Sequence, residues 1–267
     1  MIVDAHAYVG PWAFRHLAHA EPDALLRRLD RAGVERALVS ATEGILYKDP
    51  QAGNRLLAGR LHGRRDRLVP LASLNPRLAG WEIDWRACLD ELAPVGVRLH
   101  PSYHGYSLAW EEAGRLVEGV SAAGAIVLVV VRIEDERVHH PLARVAPPPL
   151  EEVAALLRAA PAAGVVLSGM RLREVEALAV RAPELTSYGV DISHLQHPLD
   201  ALDRLCALLP AERIWLGSGA PFLMPEPAIY KVVTARLDEA KRQAILGGNA
   251  ERAIEAARRR QGSEVPA

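Results

Sequence analysis

His6 and Tyr8 stand two residues apart in the segment Ile2-Val3-Asp4-Ala5-His6-Ala7-Tyr8-Val9. Residues so spaced on a strand share one face. A His-x-His pair there would bring two imidazoles to one metal ion, but Tyr8 holds the second position. His6 can act as a neutral general base near pH 7 or serve as a hydrogen-bonded core histidine. Tyr8 can give a proton or pack as an aromatic with its hydroxyl satisfied. Arg98 and His100 repeat the spacing. An arginine in an apolar interior needs an anionic partner, either a substrate carboxylate gripped by its fork or an internal carboxylate such as Asp4 or Asp191. Arg132 and Glu134 share a face just past an all-apolar run. They read as a surface ion pair, or as groups that bind substrate and move a proton. Asp191 caps the next turn or orients a histidine. His194-x-x-His197 precedes Pro198, which favours a loop entering a helix over a zinc pair. His139-His140 before Pro141 reads as an exposed loop tip or part of a lid.

The elements that must position these groups alternate. Short β-branched runs at 2–9, 35–41, 68–74, 96–101, 125–133, 164–168, 186–193 and 213–217 read as strands. Between them the apolar spacing is helical, as in Leu25, Leu29 and Ala32, in Leu150, Val153, Ala154 and Leu157, and in Leu199, Leu202, Cys206 and Leu209. Gly33, Gly96, Gly124 and Gly164 sit where left-handed helix caps are expected. Eight such units in one domain over residues 1–260 predict an α/β fold, a (β/α)8 TIM barrel, with a frayed tail at 261–267. The alternative, a doubly wound open sheet, lacks its G-x-G-x-x-G after strand one. In a barrel, catalytic groups gather at the C-terminal ends of the strands. Trp12 falls there, with Tyr103, Tyr106 and His104. Aromatics at that mouth either line a pocket or plug it.

The composition narrows the function classes. The net charge is -1 with both signs interspersed, which gives no footprint for nucleic acid. Arg258-Arg259-Arg260 reads as the solvated end of a last helix. Cys88 and Cys206 lie in helical apolar patterns and read as buried thiols, in keeping with a reducing cytoplasm. No signal-peptide pattern precedes the first strand, and no apolar run is long enough to span a bilayer. G-x-S-x-G and Walker A motifs are missing.

Five segments, in order, resemble the amidohydrolase-related superfamily in its amidohydrolase 2 branch. They are Asp4-Ala5-His6, Gly96-Val97-Arg98-Leu99-His100-Pro101, Asp191-Ile192-Ser193-His194, Gly217-Ser218-Gly219-Ala220-Pro221-Phe222 and Ile245-Leu246-Gly247-Gly248-Asn249-Ala250. The resemblance implies a metal-dependent hydrolase or a decarboxylase of aromatic or unsaturated acids. The family ligands are His-x-His on strand one, His on strands five and six, and Asp on strand eight. Here these positions hold His6 with Tyr8, Val130, Ser168 or Gly169, and Gly219, while strand four carries Arg98 rather than a lysine. Gly219 in place of Asp removes a base and makes room for an anion. The expectation is an enzyme that hydrolyses or decarboxylates a small anionic molecule, or performs another lyase step, without the usual binuclear metal. Catalysis falls to His6, Tyr8, His100, Glu134 and Asp191. Arg98, Arg132, Trp12, Tyr103 and His194 bind the substrate. No cofactor is called for; a rebuilt site would use His6 and His100, with Glu134 or Asp191, to hold zinc. The alternatives are such a mononuclear hydrolase, and a non-catalytic protein that binds a metabolite or a partner protein. The expected partner is a small-molecule substrate, with neither nucleic acid nor membrane, and the resemblance implies a homodimer.

Overall fold

The computed structural model describes residues 1–263. Its strands are β1 (Val3–Val9), β2 (Arg36–Ala41), β3 (Leu68–Ser73), β4 (Gly96–Leu99), β5 (Ile126–Val130), β6 (Val165–Ser168), β7 (Gly189–Asp191) and β8 (Ile214–Trp215). Each pairs in parallel with the next, and helices occupy the intervals. Backbone bonds from β1 to the segment after β8 close the ring. Ala5 N donates to Leu216 O (2.8 Å), Tyr8 N to Ala220 O (2.7 Å) and Gly219 N to His6 O (2.7 Å). The fold is therefore the single-domain (β/α)8 barrel, which leaves no sheet edge open.

Local chemistry explains where the strands stop. β5 is rich in β-branched residues and buried throughout, as a strand covered on both faces must be. β7 and β8 are shorter than the apolar runs around them. After β7 the Asp191 carboxylate accepts from Ser193 N (3.0 Å) and Gly169 N (3.2 Å). After β8 the Ser218 hydroxyl accepts from Ala220 N (3.0 Å). Such side-chain bonds replace the strand ladder. On the helices, Leu25 and Leu29 are buried, as are Val153, Ala154 and Leu157. The stripe expected from Leu199 starts later. The helix is Ala201–Leu208, Leu199 is fully exposed, and Leu202 and Leu205 face the core. Gly33 and Gly124 are left-handed (both φ +74°), whereas Gly96 and Gly164 are not. Gly96 is needed for closeness instead, since a Cβ there would lie 2.1 Å from Ile126 O.

The helix Asn249–Ser263 closes the bottom of the barrel. Asn249 Nδ2 donates to Ala211 O and Ile214 O (2.7 Å each). Ala250, Ile254 and Ala257 then pack against Val3, Leu38, Val69 and Leu128 as an apolar floor. This helix is described to Ser263, and of the tail expected at 261–267 the residues 264–267 lie outside the described residues. At the other end Tyr8, Trp12, Leu17, Ile45, Val130, Ile133 and Phe222 form a second cluster, a roof. Polar side chains are held between floor and roof. Both cysteines are free; Cys88 is buried and Cys206 only half-buried. Among the described residues no helix is long and apolar enough to cross a membrane.

Gly96→Ala forces its methyl into the β5 backbone. We expect a loss of about 1–3 kcal/mol in urea unfolding, the usual cost of overpacking. An unchanged midpoint would show that β4 and β5 are not so closely apposed.

Candidate active site

β1 departs from regular register. Asp4 pairs with Ala37 and Ala7 with Val39, so β1 carries one extra residue between them. Arg98, on β4, takes up carbonyl groups around this bulge. Its Nη1 donates to Ala7 O (2.6 Å), and its Nη2 donates to Ala5 O (3.0 Å) and to Leu38 O of β2 (3.1 Å). The guanidinium carbon lies 4.6 Å from the centre of the Tyr8 ring, a cation–π contact. Arg98 is completely buried. Burial lowers its pKa, opposed by Tyr8, Asp191 and Asp4, but arginine starts so high that the charge stays. The Nη donors of Arg98, which was expected to hold a substrate carboxylate, go to the main chain, while its buried Nε has no protein partner.

The bulge sets the direction of the β1 side chains. Asp4 accepts from His6 N (3.0 Å) and Ser218 N (2.9 Å), and Ser218 Oγ donates to its other oxygen. Burial pushes the Asp4 carboxyl up, partly offset by these bonds. His6 Nδ1 lies 2.8 Å from Asp191 Oδ2, both fully buried, although the contact is not aligned as a hydrogen bond. Asp191 Oδ1 takes Ser193 Oγ (2.6 Å) in addition to the two amides. Burial alone would raise the Asp191 pKa, but His6 and Ser193 outweigh it and hold the carboxyl well below the usual range. Asp191 therefore both caps a turn and faces a histidine. His6 Nε2 is buried with no protein partner.

Tyr8 reaches to the other side of the group. Its hydroxyl is 3.1 Å from His100 Nε2. Burial raises the Tyr8 pKa, with Arg98 pulling the other way, so the phenol keeps its proton. Burial, with His104 and Arg98 nearby, holds His100 well below the usual imidazole range. A neutral His100 carries one N–H and one bare nitrogen, and the Tyr8 hydroxyl pairs with Nε2 in either tautomer. His104 Nε2 in turn donates to Gly44 O (2.8 Å). His6, Tyr8, His100 and Asp191 are thus brought together. Glu134 is not joined to them by any bond.

Glu134 and Arg132 are both buried, but they do not pair with each other. Arg132 binds Glu136 (2.8 Å), Glu174 (2.8 Å) and Gly169 O (2.8 Å). Glu134 accepts from Arg15 Nη2 (2.6 Å) and Nε (2.9 Å). The surface-pair reading is corrected on both counts. Trp12 and Tyr103 belong to the roof, where Trp12 packs edge-on against Phe222 (5.0 Å) and Tyr103 (6.1 Å). Tyr106, though buried, is outside it. His140 is exposed and stacks on Phe14 from the segment that carries Trp12 (5.3 Å), which makes the loop tip part of the cover. His194 is buried beside Ser193 (3.3 Å) and His197 is apart from it, at the surface. Gly219 does not open room, because the space beside it holds Leu223 at 3.2 Å.

Four participants escape sequence reasoning. Arg15 meets Glu134 across 119 residues, and Phe222 completes the roof; neither leaves a local signal. Ser193 and Ser218 do leave one, a serine two residues after an acid or just past a strand, where side-chain turns form.

Among the described residues no group of three or more His, Cys, Asp or Glu side chains is placed to hold a metal ion. His6 faces Asp191 and His100 faces Tyr8, so the rebuilt His6–His100 centre is not assembled. A fixed guanidinium under the Tyr8 ring also disfavours a second cation there. The donors present do not fit the usual four-ligand site.

A family model described as Amidohydrolase matches residues 3–255. No curated protein matches the chain. Solved structures that resemble it include a 5-carboxyvanillate decarboxylase from Sphingomonas paucimobilis, with TM-score 0.70, 15% identity, and coverage of 95% of this chain and 98% of that one. A dihydroxybenzoic acid decarboxylase from Polaromonas, with bound manganese and the inhibitor 2-nitroresorcinol, gives 0.69, 17%, 95% and 96%. A 4-oxalomesaconate hydratase from Rhodopseudomonas palustris gives 0.70, 12%, 99% and 98%. At such identities the likeness is one of fold.

The buried histidines make stability depend on pH. Burial pushes His194 down to about 4, with His6 adding to the effect. The unfolded chain takes this proton near the ordinary value of 6.5. Between those values the unfolded state holds more protons, so stability falls as pH drops through that window. His194→Gln should make the slope of unfolding free energy against pH shallower there by about one proton. An identical slope would place His194 in water.

Proposed function

This chain belongs to the amidohydrolase family, and we propose that it acts on a small anionic molecule with side-chain acid–base groups in place of the usual binuclear metal centre. It is an amidohydrolase-like enzyme of hydrolase or decarboxylase type. The observation that carries the proposal is the buried set His6, Asp191, Tyr8 and His100, drawn from β1, the residue after β4 and the end of β7. Asp191, kept anionic, holds Nδ1 of His6 and leaves Nε2 as the base. Tyr8, kept neutral, is the acid, and Arg98 supplies a fixed positive charge below its ring. In hydrolysis, His6 takes the proton of an attacking water and Tyr8 protonates the leaving group. In decarboxylation or another lyase step, Tyr8 protonates the carbon that loses its substituent.

The roof must open for this chemistry. Trp12, Tyr103 and Phe222 cover the axis, and the Arg15–Glu134 bridge with the Phe14–His140 stack holds the cover down. That closure favours a second reading, a non-catalytic member that binds a metabolite or a partner protein. Glu134 then serves as a latch rather than a proton carrier. We assign the protein to the cytoplasm on its free thiols, and take the homodimer as its assembly.

The test is a turnover screen with aryl and unsaturated carboxylates, their amides and their lactones. On any substrate found, His6→Asn and Tyr8→Phe should each lower kcat/KM by about 10²–10⁴, the range for a lost acid or base. Full turnover in His6→Asn would sink the acid–base reading. Arg15→Ala should release the cover and raise the rate of substrate entry; no turnover in either the parent or this variant favours the binding protein.

A further inference from the structure

One loop crosses the barrel mouth, and its backbone is tied to the body only at its neck. Residues 11–20 leave β1 and come back to the place where they left it. Gly10 N donates to Ala20 O (2.7 Å), and Thr42 Oγ1 donates to Pro11 O (2.8 Å). Gly10 is left-handed (φ +112°), and a Cβ there would lie 2.5 Å from Glu43 Oε2. Glycine thus lets the chain leave the strand against the Glu43–Arg60 pair. Beyond the neck, among the described residues, no backbone hydrogen bond joins 12–19 to another segment. A compact loop with its ends together and only side-chain contacts beyond them can move as one body.

Those contacts reach across the mouth. Trp12 packs on Phe222 after β8 and on Tyr103 after β4. Phe14 stacks on His140 in the loop after β5. Arg15 donates to Phe222 O (3.3 Å) and holds Glu134. The Arg15–Glu134 bridge is the only ion pair of this loop among the described residues, and its halves differ: the Arg15 side chain is 39% exposed and that of Glu134 4%. The ground under Glu134 is firm. Arg132 binds Glu136, Glu174 and Gly169 O, and Arg171 also pairs with Glu136. These charge-assisted bonds tie the chain on both sides of Glu134 to the start of the helix Leu172–Arg181. The loop has space beside it instead, since a cavity of about 360 Å³ lies between it and Ala220–Met224. When the bridge breaks, the loop is the side that yields.

We propose that residues 12–19 form a lid that opens as one body about the Gly10–Ala20 neck, with Arg15 as its latch and the segment carrying Glu134 as its fixed post. The lid rests on the reading of His6, Asp191, Tyr8 and His100 as the active site only for what it guards. Fluorine NMR of the full chain labelled with 5-fluorotryptophan tests it without any substrate. The Trp12 signal is identified by its loss in Trp12→Phe. Relaxation dispersion should show Trp12 exchanging with a minor open state on the microsecond-to-millisecond scale of lid motions. Arg15→Gln and Glu134→Gln should each enlarge that state about tenfold, and the double variant no further than either alone, because both remove one contact. The two single variants also guard against a folding failure in one of them. Trp81 and Trp215, buried elsewhere, should stay unaffected. No exchange at Trp12 in the parent and in both variants overturns the lid, as does equal exchange at Trp81 and Trp215, which would mark a general loosening. Full turnover in His6→Asn with an opening Trp12 would remove the acid–base reading and leave the lid, and a static Trp12 with turnover lost in His6→Asn would do the reverse.

Discussion

A guanidinium taken wholly out of water must be satisfied by whatever surrounds it, and the interior of this barrel is arranged around that demand. Arg98 finds its acceptors in main-chain carbonyls at the β1 bulge and on β2. The bulge and the arginine depend on each other. Without the extra residue in β1 the carbonyls would be engaged in the ladder, and without the arginine they would be buried and unpaired. The charge lies between an apolar floor sealed by the C-terminal helix and an aromatic roof, with the face of Tyr8 directly over it.

The protonation states follow from the same burial. A fixed positive charge in a dry interior disfavours further cations, so His100 stays neutral beside the Tyr8 hydroxyl. Asp191 remains ionised because His6, Ser193 and two amides share its oxygens. The result is a histidine facing an ionised carboxylate and a neutral phenol paired with a neutral histidine, held in place by the scaffold. Val130 is used for the roof, and the space beside Gly219 is filled by Leu223.

Much of the fold was legible because its signals are local. Alternating β-branched and helical patterns placed all eight strands, and the two-residue spacing put His6 with Tyr8 on the inner face of β1. The same spacing misled for Arg132 and Glu134. They share a face, yet each pairs with a residue from a different segment, Glu134 with Arg15 and Arg132 with Glu174. Leu199 keeps the helical period but precedes the helix, which starts at Ala201. The role of Arg98 was hidden for a different reason. Its partners are carbonyl groups, which have no side-chain identity, exposed by a register shift that no residue type announces. The roof was foreseen only as one of two outcomes, since Trp12 and Tyr103 are visible in the sequence but the Arg15–Glu134 contact that fixes them is not.

The central claim is that an internal guanidinium and paired acid–base side chains occupy the place of a metal centre. Calorimetric titration of the purified, chelator-treated chain with zinc and with manganese tests it most directly, with His6→Asn alongside. The account predicts no stoichiometric binding that depends on His6. About one ion bound per chain, and lost in His6→Asn, would contradict it and return this barrel to metal chemistry.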